Sequence, residues 1–254
     1  MGWRAAEVLT PLVAAVVLLT LFVWWESRAA NPLLPLRIVW QRNRGGACVA
    51  AGCAVVGMLG AFLLLTYYFR VVLRYSPVQA GLAFLPMTLA MAGSAFGVAS
   101  PLLPRVAPRM LIVAGLLVTA TGLLVLTRLQ VGGGYLTRTL PAEILLGAGC
   151  VITPAFSVAT QDVDRRETGV AAATINTAQQ VGGSLGAALL NTIAAAATTG
   201  YLAAPAHRGS DTVARALVHG YTTATGWAAA ILLAAAILAA ALINAPRPAR
   251  QGHR

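Results

Sequence analysis

Residues 169–186 read GVAAATINTAQQVGGSLG, and the chain stays apolar from there to about residue 199. A run of this length is long enough to cross a bilayer as a helix. With 3.6 residues per turn, its amide side chains fall on one helical face. That face carries Asn176, Gln179, Gln180, Gly183 and Asn191. Amides facing lipid are costly, so this face is expected to point into a helical bundle or a water-filled cavity.

The composition extends this interpretation to the whole chain. Of 254 residues, 58% are hydrophobic and only 10% are charged, against about 25% charged in ordinary soluble domains. The mean hydropathy is +0.77. A soluble core of this size cannot hide so much apolar surface, so the composition excludes a soluble enzyme, a secreted disulfide scaffold and a disordered chain.

Seven apolar runs are predicted to be membrane helices, because each is long enough to span a bilayer. They cover residues 8–25, 46–69, 79–103, 110–127, 139–160, 169–199 and 222–243. The runs are continuous rather than alternating, which argues against a strand barrel. The predicted fold is therefore an all-α integral membrane protein with seven transmembrane helices. Residues 1–45 hold one extra helix and a cytoplasmic linker, and residues 46–254 form a six-helix bundle with a short cytoplasmic tail.

The basic residues predict the orientation. All 18 are arginines, and they are concentrated in the segments 26–45, 104–109, 161–168 and 244–254. The positive-inside rule places these segments in the cytoplasm, with the C-terminus inside and the N-terminus outside. Because the arginines lie between apolar runs, their role is topological. The lipid bilayer is the expected partner, and nucleic acid is not.

Residue sets for catalysis, metal binding or cofactor binding are not evident. The three histidines and three cysteines form no ligand spacing, and no GxSxG or HExxH motif occurs. There is no lysine for a phosphate loop, so the energy source is expected to be an ion gradient or a partner. We predict no enzyme activity, no metal and no cofactor.

Glu143 is the only acidic residue well inside an apolar run. Ionisable groups in a membrane are costly and often functional, which makes Glu143 a candidate proton site. The alternative is that its carboxylate reaches the membrane interface or pairs with Arg138, five residues earlier.

The polar face of residues 169–199 also has two interpretations. Its amides either join helices by hydrogen bonds or line a substrate path, and the two roles can coexist. The neighbouring Gly182, Gly183 and Gly186 are predicted to let another helix approach closely, since small residues at four-residue spacing favour helix packing.

Four stretches together resemble the C-terminal half of a major facilitator superfamily transporter. More narrowly, the chain resembles the fourteen-helix drug:proton antiporters of the EmrB/QacA type. The stretches are Phe22–Glu26 with Asn31–Arg37, Tyr75–Leu82 with Leu85-Pro86, Arg105–Arg109 leading to Gly115, and Gly147–Gly149 with Pro154, Gly169 and Asn176–Gly186. Arg70, Glu143 and Gln179 depart from the residues that are usual in that family.

The resemblance implies a function. The first helix would be one of two extra helices of the family, and the other six would be the whole C-terminal bundle. The chain would be the C-terminal portion of a proton-coupled exporter of small amphipathic compounds in a bacterial cytoplasmic membrane. Within that function, the residue pattern itself, rather than the resemblance, assigns Asn176, Gln179, Gln180 and Asn191 to the path and Glu143 to the proton. Arg105 and Arg109 would form a cytoplasmic gating turn.

A single bundle has nothing to close against, because alternating access needs two bundles that rock around a site between them. We therefore expect no transport without the missing N-terminal bundle or a partner half. The alternative function is a non-transporting membrane scaffold or regulatory subunit that packs against partner helices.

Overall fold

The computed structural model describes residues 41–129, 134–161, 163, 167–203 and 212–245, with scattered positions between 10 and 28. Within these ranges, six helices are long and apolar enough to cross a membrane. They are α1 (Arg42–Val72), α2 (Pro77–Leu102), α3 (Pro108–Leu126), α4 (Tyr135–Thr160), α5 (Thr168–Ala203) and α6 (Thr212–Leu242). The described ranges contain helices and turns but no strands, which confirms an all-helical, multi-pass membrane fold.

The six helices correspond to the last six predicted spans. The predicted helix 8–25 lies largely outside the described residues, although the scattered positions from Thr10 to Arg28 are helical. The chain divides into the compact units Met1–Gln41 and Arg42–Arg254. In the first unit, the Arg28 guanidinium lies 4.4 Å from the centre of the Trp24 ring.

Three helices start four or more residues before the prediction. α1 begins at Arg42 rather than residue 46, α4 at Tyr135 rather than residue 139, and α6 at Thr212 rather than residue 222. All three extensions contain arginines, which end an apolar run without ending a helix. Hydropathy therefore marks the part of a helix that suits lipid, while backbone hydrogen bonding continues beyond it.

The start of α2 follows directly from its sequence. The Ser76 hydroxyl accepts a hydrogen bond from the Gln79 amide at 3.3 Å, and the Gln79 side-chain oxygen accepts one from the Ser76 amide at 2.9 Å. Pro77 occupies the first helical position, where its missing N–H is not needed. Ser76 and Gln79 thus form a capping box at the start of α2.

Helix α1 packs against both α5 and α6, while α3 packs against α4 and α6, and α2 against α4. The α1–α5 contact brings the two backbones together at Gly52 and Gly182. A Cβ added at Gly52 would lie 2.9 Å from the Ala178 carbonyl oxygen, and one at Gly182 would overlap the backbone of Gly52. This contact therefore requires glycine on both helices.

The remaining glycines of the predicted packing set also face α1. A Cβ at Gly183 would lie 3.3 Å from a Val55 methyl carbon, and one at Gly186 would lie 2.9 Å from a Val56 methyl carbon. Gly186 is buried, whereas Gly183 is partly exposed. The glycine-rich side of α5 is thus the side turned towards α1.

The first turn of α1 is tied to the ends of two other helices. Arg44 is buried, and its guanidinium donates to the carbonyl oxygens of Ala159 at 3.0 Å and Gln161 at 3.2 Å. Arg42 donates to the Ala241 carbonyl oxygen at 2.6 Å. Cations are stabilising near the last carbonyls of a helix, so these arginines secure the ends of α4 and α6.

Candidate functional site

A cavity of about 390 Å³ lies among five of the six helices. α1, α2 and α4 supply most of its wall, and α3 and α5 supply one residue each, Thr119 and Gln179. Met58, Met87 and Met91 are its largest flexible side chains. Thr119, Thr153 and Gln179 are polar, and Arg, Lys, Asp and Glu are not among the residues that line it. Such a site suits a largely apolar compound that is oriented by a few hydrogen bonds.

Helix α4 is broken where it lines this cavity. Its two α-helical parts are Leu140–Ala148 and Ile152–Thr160, and the residues between them are not helical. The Cys150 amide donates to the Ala148 carbonyl oxygen at 2.9 Å instead of to the carbonyl four residues earlier. Pro154 has no N–H for the carbonyl of Cys150. Non-helical backbone at membrane depth is tolerated where protein or a cavity surrounds it.

Hydroxyl groups satisfy part of this open backbone. Ser94 on α2 donates to the Gly147 carbonyl oxygen at 3.0 Å. Thr119 on α3 donates to the Gly115 carbonyl oxygen at 2.9 Å and approaches that of Gly149 at 3.4 Å. The break is thus held in place by neighbouring helices, while Gly147, Gly149, Cys150 and Val151 still line the cavity.

Small residues allow the close crossings around the break. A Cβ at Gly147 would overlap the Met87 carbonyl oxygen on α2, and a Cβ at Gly115 would lie 2.9 Å from the Cys150 carbonyl oxygen on α4. Any larger side chain at either position would push α4 away from its neighbour. These glycines therefore fix the position of the cavity wall.

The four predicted path residues are not grouped together. Gln179 lines the cavity and is partly buried, whereas Asn176, Gln180 and Asn191 are exposed on the outer side of α5. In the described part of the chain, the side chains of these four residues form no hydrogen bonds with one another or with other helices. The amides therefore do not hold this bundle together, and three of them are directed away from it.

Glu143 is fully buried near the start of α4. Its Oε2 atom lies 3.1 Å from the Tyr135 hydroxyl, and that hydroxyl also lies 2.9 Å from the Ala83 carbonyl oxygen on α2. Arg138 instead donates to the Arg128 carbonyl oxygen at 2.9 Å. The predicted pairing of Glu143 with Arg138 is therefore wrong, and the Glu143 side chain is enclosed by protein.

Sequence periodicity does not place Tyr135 beside Glu143, for a geometric reason. Residues seven apart align on an α-helix, but Tyr135 and Glu143 are eight apart. Residues Tyr135–Thr139 form a π-helical turn, which inserts one extra residue and brings Tyr135 onto the same face as Glu143. The one feature of the sequence that could have indicated this contact is a tyrosine that lies shortly before an acidic residue in an apolar run.

The predicted gating turn connects α2 to α3. Arg105 and Arg109 are both exposed there, and the Arg105 amide donates to the Leu102 carbonyl oxygen at 2.8 Å. The described residues contain no group of three His, Cys, Asp or Glu side chains that could hold a metal ion.

Comparison with known proteins identifies a family that this chain matches. The Major Facilitator Superfamily matches residues 1–187. A puromycin resistance protein of Streptomyces alboniger is 46% identical over 247 residues, which cover 96% of this chain and 49% of that protein. A cephamycin export protein of Amycolatopsis lactamdurans is 34% identical over 202 residues, covering 78% of this chain and 42% of that protein.

A tetracenomycin C resistance and export protein of Streptomyces glaucescens is 31% identical over 195 residues, covering 76% of this chain and 36% of its own length. The chain spans at most about half the length of these curated relatives. The family match covers well over half of the chain, and it agrees with the six membrane-length helices. The chain therefore belongs to the Major Facilitator Superfamily, a family of membrane transporters rather than of enzymes.

Proposed function

We propose that this chain is the C-terminal half of a proton-coupled drug exporter of the fourteen-helix type. In this proposal it works in a bacterial cytoplasmic membrane with its C-terminus in the cytoplasm. The observation that carries the proposal is the cavity against the broken part of α4, since broken helices at mid-membrane form the binding sites of many transporters.

The substrate class follows from the lining of the cavity. Methionine side chains are flexible and polarisable, so they adapt to ligands of different shape and favour contact with aromatic rings. The relatives are named for puromycin resistance, for cephamycin export, and for tetracenomycin C resistance and export. We propose that small amphipathic antibiotics of this kind bind here, with Gln179 and the backbone at the break as hydrogen-bonding partners.

The exposed helices support the need for a second bundle. Only 22% of the most apolar stretch of α2 and 17% of that of α5 are buried, against 50% for α1 and α4. Gly93 and Gly97 on α2 have open space where a side chain would lie, and Asn176 and Gln180 on α5 are exposed. An N-terminal bundle, supplied by a longer protein or by a partner half, would cover these faces and complete the path.

The remaining site residues take roles within this proposal. Asn176, Gln180 and Asn191 would line the path between the two bundles, and Glu143 would bind the transported proton. Arg105 and Arg109 are exposed at one end of the bundle, where a gating turn would contact the other bundle as it rocks.

The first test is the size of the native product. A tag placed at the C-terminus in the chromosome is expected to give a membrane band near twice the 26.2 kDa of this chain. Cells that make this product should accumulate less puromycin than a deletion strain, and a protonophore should abolish the difference. Retention of the difference with the gradient collapsed would reject proton coupling.

A band near 26.2 kDa with no change in drug accumulation would instead favour the alternative function, a scaffold or regulatory subunit. Its exposed α2 and α5 faces would then bind an unrelated membrane protein. Co-purification of such a protein in stable one-to-one amounts would support that alternative and reject the exporter.

A further inference from the structure

We propose that Tyr135 acts as a proton-dependent latch between α4 and α2. Its hydroxyl bonds the Ala83 carbonyl oxygen when Glu143 is protonated and releases that oxygen when Glu143 is ionised. The proposal deepens the proposed function, on which it rests for its biological role, by assigning a structural effect to the bound proton.

The number of hydrogens that Tyr135 and Glu143 can donate supports this inference. The Tyr135 oxygen has two close neighbours, the Ala83 carbonyl oxygen at 2.9 Å and the Glu143 Oε2 atom at 3.1 Å. A tyrosine hydroxyl has a single hydrogen to donate, and a carbonyl oxygen can only accept. An ionised carboxylate also only accepts, so Tyr135 would then have to share one hydrogen between two acceptors. A protonated Glu143 can donate to Tyr135, which leaves the tyrosine hydrogen for Ala83.

The burial of Glu143 favours the same state. The residue has no exposed surface, and its Oε1 atom is buried without a hydrogen-bond partner. An ionised carboxylate in such a place would have two charged oxygens and only one donor. Burial of a charge without paired groups is costly, whereas a carboxylic acid that donates to Tyr135 leaves only a neutral carbonyl oxygen unpaired.

The other charged and titratable groups near this site do not change the argument. On α4 they are Tyr135 and Arg138, on α1 Tyr68 and Arg70, before α2 Tyr75, and beyond the end of α3 Arg128. Helix α2 itself has no titratable side chain, and Arg109 is at the opposite end of α3. Arg138 and Arg70 donate to the backbone carbonyls of Arg128 and Tyr75. Glu143 thus has its hydrogen bond with Tyr135 rather than with either arginine.

A route for the proton is also present. Tyr135 lines a cleft of about 390 Å³ together with Tyr75, Gln79, Leu82 and Ala83. Its hydroxyl therefore connects the cleft to the buried acid. A hydronium ion in the cleft gives up one proton, which converts the carboxylate to the acid, and the hydrogen of Tyr135 turns from Oε2 towards Ala83. The step breaks one O–H bond of the hydronium ion, forms one O–H bond on Glu143 and leaves a water molecule.

The latch acts at a weak point of α2. Ala83 is the last residue of the segment Pro77–Ala83, and Phe84 is a turn residue before the next segment begins at Leu85. Pro86 cannot donate to the carbonyl of Leu82, which weakens the helix there. Met87, one turn further, lines the substrate cavity. Loss of the hydrogen bond to the Ala83 carbonyl oxygen would therefore let α2 move beside the cavity. In this way the protonation of Glu143 would affect the binding of a compound in the cavity.

The first experiment asks whether Glu143 takes up and loses a proton. The purified chain in lipid vesicles is studied by infrared difference spectroscopy between acidic and alkaline pH. A buried carboxylic acid band should appear at acidic pH, disappear in Glu143→Gln, and shift to higher frequency in Tyr135→Phe. Tyr75→Phe, a tyrosine from the same cleft, should leave it unchanged. A band that persists at every pH at which the protein stays folded would overturn the proposal.

The second experiment measures the latch itself. Hydrogen–deuterium exchange of residues 77–92 is compared among variants at the same pH, so that intrinsic exchange rates cancel. Gln at 143 can donate to Tyr135 as the acid does, so Glu143→Gln should match the wild type at acidic pH. At alkaline pH the wild type should exchange roughly 3- to 10-fold faster than Glu143→Gln, the factor expected for one hydrogen bond.

Tyr135→Phe should exchange fast at both pH values. If it does not fold, the comparison of wild type with Glu143→Gln decides the question by itself. Equal exchange in these two proteins at alkaline pH would reject the latch. Because neither measurement uses transport, the latch can stand even if the longer protein does not export drugs, and proton-coupled export can stand if the latch fails.

Discussion

Helices α5 and α6 are the two longest uninterrupted α-helices of the bundle, yet their exposed sides differ. α6 exposes large apolar side chains, including Trp227, Leu233 and Ile237. α5 exposes Val181 and Leu185 on one side and the amides of Asn176, Gln180 and Asn191 on another. Lipid satisfies the surface of α6, but it cannot satisfy the amides. The side chains on an exposed helix face therefore indicate what covers that face. Apolar side chains indicate lipid, and amides indicate protein or water.

The largest expected effect concerns the buried side of α5. Gly182→Leu would place a side chain where the backbone of Gly52 lies, and such overpacking costs about 3 kcal/mol or more where neither backbone can move. We expect loss of the folded bundle, seen as a strongly lowered melting temperature in detergent. Gly200→Leu, on the same helix where no atom lies within 4 Å, is the matched control. Similar melting temperatures for both variants would mean that α5 does not pack on α1 through Gly182.

The next prediction tests the two exposed surfaces directly. Leu233→Asp on α6 should reduce correct membrane insertion, because an acidic residue near the centre of a lipid-facing helix costs about 3 kcal/mol. Gln180→Asp on the amide face of α5 should reduce it far less, provided that the face borders a water-filled path in the full-length exporter. Insertion can be measured by labelling of introduced loop cysteines. Equal losses would mean that lipid covers both faces.

The sequence predicted the apolar lengths of the six helices, but not their interruptions. Residues 139–160 form one apolar run, and hydropathy does not distinguish a continuous helix from one that opens at Gly149. The opening depends on Ser94 and Thr119 from other helices, which is tertiary information. The same holds for Tyr135, whose alignment with Glu143 depends on a π-helical turn. Periodicity placed the amides on one face, but only packing shows that Gln179 alone of them reaches the cavity.

A smaller loss of stability is expected from substitutions in the first turn of α1. This turn contacts the ends of both α4 and α6, so its two arginines allow the two contacts to be compared. Buried Arg44 bonds the end of α4, and exposed Arg42 bonds the end of α6. Arg44→Ala should lower the free energy of unfolding by about 2 kcal/mol, because hydrogen bonds to a buried charged group are strong. Arg42→Ala should cost less than about 1 kcal/mol, since exposed charged contacts are weak. Denaturant unfolding in mixed micelles measures both, and the reverse order would mean that α6 depends more on this turn than α4 does.

The smallest effect on stability should come from the amide face itself. Asn176 and Gln180 are exposed and have no hydrogen-bond partners in the described part of the chain, so the double variant Asn176→Ala, Gln180→Ala should change the free energy of unfolding by less than about 0.5 kcal/mol. In the full-length exporter, however, the same variant should change which compounds are exported, because the path loses two of its few polar groups. Drug accumulation across a panel of antibiotics, with Thr192→Ala as an exposed control on α5, measures this change. An unchanged export profile would remove the amides from the path and leave Gln179 and the broken part of α4 as its polar groups.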